Sequence, residues 1–247
     1  LGISAWMTTL RLVMVFLNAK LKELAENALP ADKPMLDAWD RVDLRRFRIL
    51  RGLEPHSAEA MDTLDLWPRG HIKTWCERAR VIRYYLLDSS VTVTWWHAVE
   101  EKAEEVCYNI SQLLQKHPEL RKLFPPGVLP SIHAKKFISA TEFTLPSNAL
   151  GRSASFRAYG WSSEATGGHA KRGKLDDIIA RGTIEDNLLP KVARWYQNTV
   201  CNVVMASGWK DCVGTRWDNH DQYATFMASD NWEHLVRASL ENPETGL

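Results

Sequence analysis

The chain alternates short β-branched or aromatic runs with longer segments whose apolar positions recur at helical spacing. That alternation predicts an α/β fold. Leu64-Asp65-Leu66 is a short alternating segment that suits a strand. Thr74 to Leu87 continues from it with apolar residues at roughly helical spacing, so strand, loop and helix come in that order. Val91 to Trp96 is β-branched and aromatic and predicts a second strand. Residues 98–116 predict a helix, with Ala98, Ala103, Val106, Ile110 and Leu113/Leu114 on one side and its end near His117-Pro118. Phe124-Pro125-Pro126-Gly127 reads as a turn, and Phe137–Leu145 and Ser153–Trp161 as extended segments. Strands separated by helices of this length imply a mostly parallel central sheet flanked by helices. Residues 5–28 and 35–52 predict two helices joined by the turn Leu29–Pro34. The expected division is therefore an N-terminal helical segment at 1–55 and one α/β domain at 56–247, with no internal repeat.

At 247 residues the chain is long enough to bury a sizeable core. A net charge of +1 leaves no basic footprint of the kind that argues for nucleic acid, although each subunit of a ring needs few contacts. Arg41, Arg45, Arg46, Arg48 and Arg51 could face DNA or water. Asp37, Asp40 and Asp43 partly neutralise them and favour the solvated face. The cysteines Cys76, Cys107, Cys201 and Cys212 are widely spaced, which argues against a zinc site or a disulfide framework and for reduced, mostly buried, intracellular thiols. Residues 1–18 are apolar but broken by Arg11, so an amphipathic helix is expected and not a signal peptide or membrane span. The chain opens at Leu1 without Met, as a fragment would. Among its eleven tryptophans, Trp95, Trp96 and Trp195 fit core packing better than base stacking.

The chemistry-bearing stretch is Trp67-Pro68-Arg69-Gly70-His71-Ile72-Lys73-Thr74. A phosphate-binding loop has the form G-x-x-x-x-G-K-[ST], in which backbone N–H groups cradle phosphates, Lys reaches the β/γ oxygens and the hydroxyl holds Mg²⁺. Here Trp67 and Ile72 stand at the glycine positions, and Ile72 restricts backbone that glycine would leave free. A helix start after the loop would turn its N–H groups and dipole towards an anion. Hydrolysis also needs an acid for the metal and a carboxylate to orient water, and Asp176-Asp177 lies downstream. The segment before it, Ala170-Lys171-Arg172-Gly173-Lys174-Leu175, carries three cations and a glycine, which a buried central strand should not do. Either that strand is short or marginal, or Ile178-Ile179-Ala180 is the strand and Arg181-Gly182 replaces the acids at its tip, leaving a dead ATPase. Val213-Gly214-Thr215-Arg216-Trp217 reads as a strand end that could sense a terminal phosphate, or as a structural end closed by an Arg216–Asp221 pair.

Pro-Arg-Gly-His-x-Lys-Thr at 68–74, Thr166-Gly167-Gly168-His169 ahead of Asp176-Asp177, and Gly214-Thr215-Arg216-Trp217 followed by Asp221 occur in one order. That set resembles the ATPase (motor) domain of the large terminase subunit, which packs DNA into tailed-phage capsids. The resemblance spans residues 60–242. It implies a P-loop NTPase of the ASCE type that binds ATP and Mg²⁺ and couples hydrolysis to translocation of double-stranded DNA in the host cytoplasm. Its implied partners are the portal protein, the small terminase subunit and further copies in a ring on the capsid, with no membrane. ATP would lie on Pro68, Arg69, Gly70, His71, Ile72, Lys73 and Thr74. Thr74 and Asp176 would hold Mg²⁺, Asp177 would orient water with Lys73 neutralising phosphate, and Gly214, Thr215 and Arg216 would couple hydrolysis to movement. Arg69 is either a finger acting within the subunit or the partner of Asp176 or Asp177. Arg152 and Arg157 are candidates for a finger between subunits or for plain surface charge. Terminases cut DNA with a C-terminal nuclease domain, which is not expected in a chain ending at Leu247. A helicase-like or other P-loop ATPase, and a degenerate non-hydrolysing assembly module, are the competing expectations.

Overall fold

The computed structural model describes residues 62–67, 73–122, 124, 127–132, 139–151, 153–163 and 168–236. The helices expected at 5–28 and 35–52, and with them the 1–55 segment, lie outside the described residues, as do Pro68–Ile72, Arg152 and Thr166-Gly167.

Among the described residues there are seven strands: β1 (Asp62–Leu66), β2 (Val93–His97), β3 (Glu142–Phe143), β4 (Phe156–Gly160), β5 (Ala170–Asp176), β6 (Val204–Gly214) and β7 (Trp232–Val236). They form one sheet in the order β3-β4-β2-β5-β6-β1-β7. Every neighbouring pair is parallel except the short edge strand β3, which runs against β4. The helices are α1 (Lys73–Leu87), α2 (Glu100–Lys116), α3 (Pro118–Arg121), α4 (Arg181–Glu185), α5 (Leu189–Trp195), α6 (Cys201–Val203) and α7 (Gln222–Met227), with a π-helical turn at Tyr196–Val200 joining α5 to α6. The expected α/β architecture with a mostly parallel sheet is therefore observed. Of the two extended segments predicted at Phe137–Leu145 and Ser153–Trp161, the first contributes only two strand residues and the second narrows to β4.

Side-chain alternation along the strands sorts the helices onto two faces. On one face Ile82 and Tyr85 of α1 and Val106 and Ile110 of α2 pack with Trp95 and Phe156. On the other, Val192 and Trp195 of α5 and Phe226 of α7 pack with Leu64, Trp96, Leu175 and Cys212. Trp95 and Trp96 thus point in opposite directions and both are fully buried, with Trp195 edge-on to Trp96 at 6.1 Å. All three are core residues. Helix α1 leaves β1 for one face, while α7 leaves the adjacent strand β6 for the other. Chain paths diverging from neighbouring parallel strands open a crevice at the strands' carboxyl ends.

Strand β5 corrects the sequence-based expectation. It is central, between β2 and β6, despite its cations. Arg172 and Lys174 are buried beneath α1, and α1 is not apolar on the side that meets them. Glu77, Arg80 and Tyr84 recur there at helical spacing. The Lys174 ammonium donates to Glu77 and, at 2.7 Å, to Asp211 Oδ2. Arg80 donates to Glu77 at 2.7 Å and to Asp211 at 3.3 Å. Thr63 (2.7 Å) and Tyr84 (2.9 Å) complete the bonds to Asp211. Two cations meet two carboxylates, so the buried set is neutral and hydrogen-bonded, the condition under which interior charge is tolerated. Burial works against the Lys174 ammonium, but Asp211 and Glu77 outweigh it and raise its pKa. Arg172 lies flat over the Trp209 ring, 3.6 Å from its centre. Gly173 has a packing reason, since a Cβ there would come within 2.8 Å of Val204 Cγ2. Because β5 ends at Asp176, the alternative that made Ile178–Ala180 the strand is also overturned.

Among the described residues no helix is long and apolar enough to cross a membrane. Cys107 and Cys212 are buried, Cys76 is half-buried and Cys201 is exposed, so the expectation of mostly buried thiols holds for Cys107 and Cys212, in part for Cys76, and not for Cys201.

Removing the Lys174 ammonium would leave Glu77 and Asp211 short of a buried counter-charge. Lys174→Ala is expected to lower folding stability by about 3–5 kcal/mol, read from urea denaturation. A loss below about 1 kcal/mol, the value of an exposed pair, would contradict a dry, mutually dependent cluster.

Candidate functional site

Residues from three regions far apart in sequence converge at the carboxyl ends of β1, β5 and β6. Lys73 and Thr74 open α1, where unpaired helix N–H groups and the dipole favour negative charge. The Lys73 ammonium donates to Thr215 Oγ1 at 2.6 Å and lies 3.0 Å from Asp177 Oδ1. The Thr74 hydroxyl donates to Asp176 Oδ1 at 3.1 Å. Thr215 in turn donates its N–H to Asp177 Oδ1 at 3.1 Å and its hydroxyl to the Trp67 carbonyl at 3.2 Å. Trp67 N–H donates to the Gly214 carbonyl at 2.9 Å, extending the β1–β6 ladder to the edge of the site.

Asp176 and Asp177 are neighbours in different electrostatic settings. Asp176 closes β5 and is 1% exposed. Burial, then the Asp177 charge, push its carboxyl up to about 8, against the Thr74 hydrogen bond and the charges of Lys73 and Arg78. Asp177 turns out of the strand with φ 44°, in the left-handed region that a non-glycine residue adopts only when its surroundings hold it there. The holding contacts are its own N–H to the Val213 carbonyl at 2.8 Å and the Thr215 N–H and Lys73 ammonium on its carboxylate.

Of the residues expected at the site, Lys73, Thr74, Asp176, Asp177, Gly214 and Thr215 are brought together. Gly214 is there for space: a Cβ would collide with the Tyr223 ring. Tyr223 OH accepts the Ile179 N–H at 3.3 Å, bracing the segment after Asp177. Arg216 is not part of the site. It is exposed, donating weakly to the Asp218 carbonyl at 3.4 Å, and no Arg216–Asp221 pair forms; Asp221 instead caps α7, accepting from Ala224 N–H at 3.1 Å. Arg157 pairs with Glu142 at 3.2 Å, which is a local surface contact. Pro68, Arg69, Gly70, His71 and Ile72 lie outside the described residues, and so do both roles weighed for Arg69.

Two neighbours escaped the sequence. His97 ends β2 in register with Asp176. Its Nδ1 accepts the Val99 N–H at 2.9 Å, and burial lowers its pKa while the Asp177 charge pulls the other way. It stands at the strand end level with Asp176, and only strand register reveals it. Arg78, buried one turn beyond Thr74, is lowered by burial and supported by the Asp176 charge.

The Thr74 hydroxyl and Asp176 carboxylate are hard oxygen donors side by side. Mg²⁺ is commonly held by one or two carboxylates together with phosphate and water oxygens. That no cluster of three or more His, Cys, Asp or Glu suited to a metal occurs among the described residues is compatible with such an ion. A buried carboxylate whose ionisation is this costly gains from a cation, so the residues fit the ion. No protein-family model matches this chain, and no curated protein is significantly similar to it.

The Asp176 shift carries a sign. Its folded pKa of about 8 exceeds the ordinary value of 3.8, so its cost to folding is absent below about pH 4 and grows as pH rises towards 8. Asp176→Asn, which keeps an acceptor for Thr74, is expected to melt several degrees above the parent protein near pH 8, with the gap shrinking towards pH 5. Thermal melts at both pH values in metal-free buffer check this; a pH-independent gap would exclude the buried charge as its source.

Proposed function

We propose that this chain is an ATP-hydrolysing motor domain of the P-loop (ASCE) class, similar to the ATPase half of a phage terminase large subunit. The observation that carries the reading is the convergence of Lys73, Thr74, Asp176, Asp177 and Thr215, drawn from the ends of two strands and one helix start, on one crevice. Their order in sequence and their chemistry match a phosphate loop, a metal-associated acid, a water-orienting carboxylate and a phosphate-sensing strand end. The strand order supports the same class, because β6 intervenes between β1, which leads into the loop, and β5, which carries the acids.

In this reading Lys73 neutralises the β/γ oxygens of ATP at the N-terminus of α1. Thr74 and Asp176 would hold Mg²⁺, which would supply charge stabilisation on the transferring phosphoryl group. Asp177 orients a water, which bonds to the γ-phosphorus as the bond to the β–γ bridging oxygen breaks, giving ADP and phosphate. Its carboxylate is suited to accept the water's proton, and His97 stands beside it. Thr215 touches both Lys73 and Asp177, so a change at the γ-phosphate reaches β6. Double-stranded DNA, the portal protein, the small terminase subunit and further copies in a ring are the partners this role requires.

Purified protein should turn over ATP in a Mg²⁺-dependent manner, faster with double-stranded DNA. Lys73→Ala and Asp177→Ala should each reduce the rate on the order of 10²–10³-fold, as removal of a charge-stabilising or proton-accepting group does. Equal rates in all three proteins would sink the enzyme and leave a nucleotide-binding or assembly module. Turnover indifferent to DNA would leave a P-loop ATPase that is no DNA motor.

A further inference from the structure

A second concave surface lies on the same edge of the sheet, past β5 instead of between β1 and β6. It encloses about 800 Å³ between the carboxyl ends of β2 and β4 and the helices α4 and α5. Its lining includes Ala98, next after His97, and Ala180, three residues after Asp177, so it begins where the candidate catalytic residues leave off. The Trp161 and Trp195 rings, edge-on at 6.4 Å, make part of an apolar floor.

The rim is cationic. Lys191 and Arg194 are exposed, one turn apart on α5, and among the described residues no Asp or Glu lines the groove. Among the described residues neither cation has a carboxylate partner, and Glu185 on the neighbouring α4 is held by Arg181 at 2.7 Å. Like charges at this spacing repel when nothing neutralises them. Asn198 continues the row into the π turn, adding a neutral amide donor.

We infer that this groove holds the phosphodiester backbone of double-stranded DNA. Lys, Arg and Asn are the side chains that grip phosphates without reading bases. The rise from Lys191 to Asn198, about 10 Å at 1.5 Å per residue, matches about three nucleotide steps of 3.4 Å. The ATP triphosphate is a different anion with its own cation, Lys73, on the far side of β5. An arginine from a second copy of the chain would be repelled by the rim. The path from the groove to the catalytic carboxylate is short and braced, because Ala180 N–H donates to Thr183 Oγ1 at 3.1 Å and Ile179 N–H to Tyr223. Strain on DNA held here therefore bears on the residues just after Asp177. The choice of duplex as occupant rests on the motor reading; the preference of the groove for an anion does not.

The test uses the whole chain, a short fluorescein-labelled DNA duplex and the double variant Lys191→Glu/Arg194→Glu, with the charge-neutral pair Lys191→Gln/Arg194→Gln as a second variant should reversal disturb folding. Affinity by fluorescence anisotropy should fall at least about tenfold, and the slope of log K against log[salt] should shrink by about 2, one per lost phosphate contact. Basal ATP turnover should be kept while its stimulation by duplex is lost. Unchanged affinity and slope, no duplex binding by the parent protein, or preference for a single strand of the same sequence would each overturn the assignment. Absence of Lys73-dependent ATP turnover would instead remove the motor reading, and the anisotropy arm would still decide the groove.

Discussion

The arrangement of the crevice depends on a neutral knot of charge beneath it. Lys174 is two residues from Asp176, Glu77 three from Thr74, and Asp211 four from Thr215. Their buried contacts bind α1, β5 and β6 to one another directly under the residues that α1, β5 and β6 present at their ends. A purely apolar interface is non-directional and tolerates sliding of a helix over a sheet. A set of mutually paired charges tolerates far less, because any displacement leaves a buried ion without its partner. The geometry between Lys73, Asp177 and Thr215 is thus inherited from contacts that no ligand touches.

Much of the fold was legible because local signals and tertiary context agreed. The β-branched run at 91–96, the helix ending at His117-Pro118, the strand at 64–66 and the helix that follows it from Lys73 all depend on short-range preferences. The central strand was misjudged because the rule that such strands are apolar assumes an apolar cover. Here the cover is α1, whose Glu77 lies 97 residues from Lys174, and nothing in the local pattern of 170–175 announces it. His97 was invisible for a related reason: its neighbour Asp176 is set by strand register, a property of the assembled sheet. At the third motif, glycine and arginine proved to have ordinary local explanations, one steric and one at the surface. Thr215, between them, makes the contacts to the site.

The two anion-seeking surfaces share an edge of the sheet but not a face. Lys73 belongs to the helix covering one face, Lys191 and Arg194 to the helix covering the other, and β5 stands between them with its acidic tip. In the proposed reading the tip of β5 separates Lys73 from Lys191 and Arg194, so that nucleotide and duplex meet different cations at the same edge.

The 3.0 Å contact between Lys73 and Asp177 has a consequence for timing. An ammonium clasped by a carboxylate is not free to receive a phosphate, and that carboxylate is not free to receive a proton. Any anion that captures Lys73 must first part the pair, which weakens its net affinity by the work of separation. The same event unmasks Asp177. In the proposed ATPase the pair would act as a latch opened by the arriving phosphate, and the basic group would become available only when there is something for it to act upon.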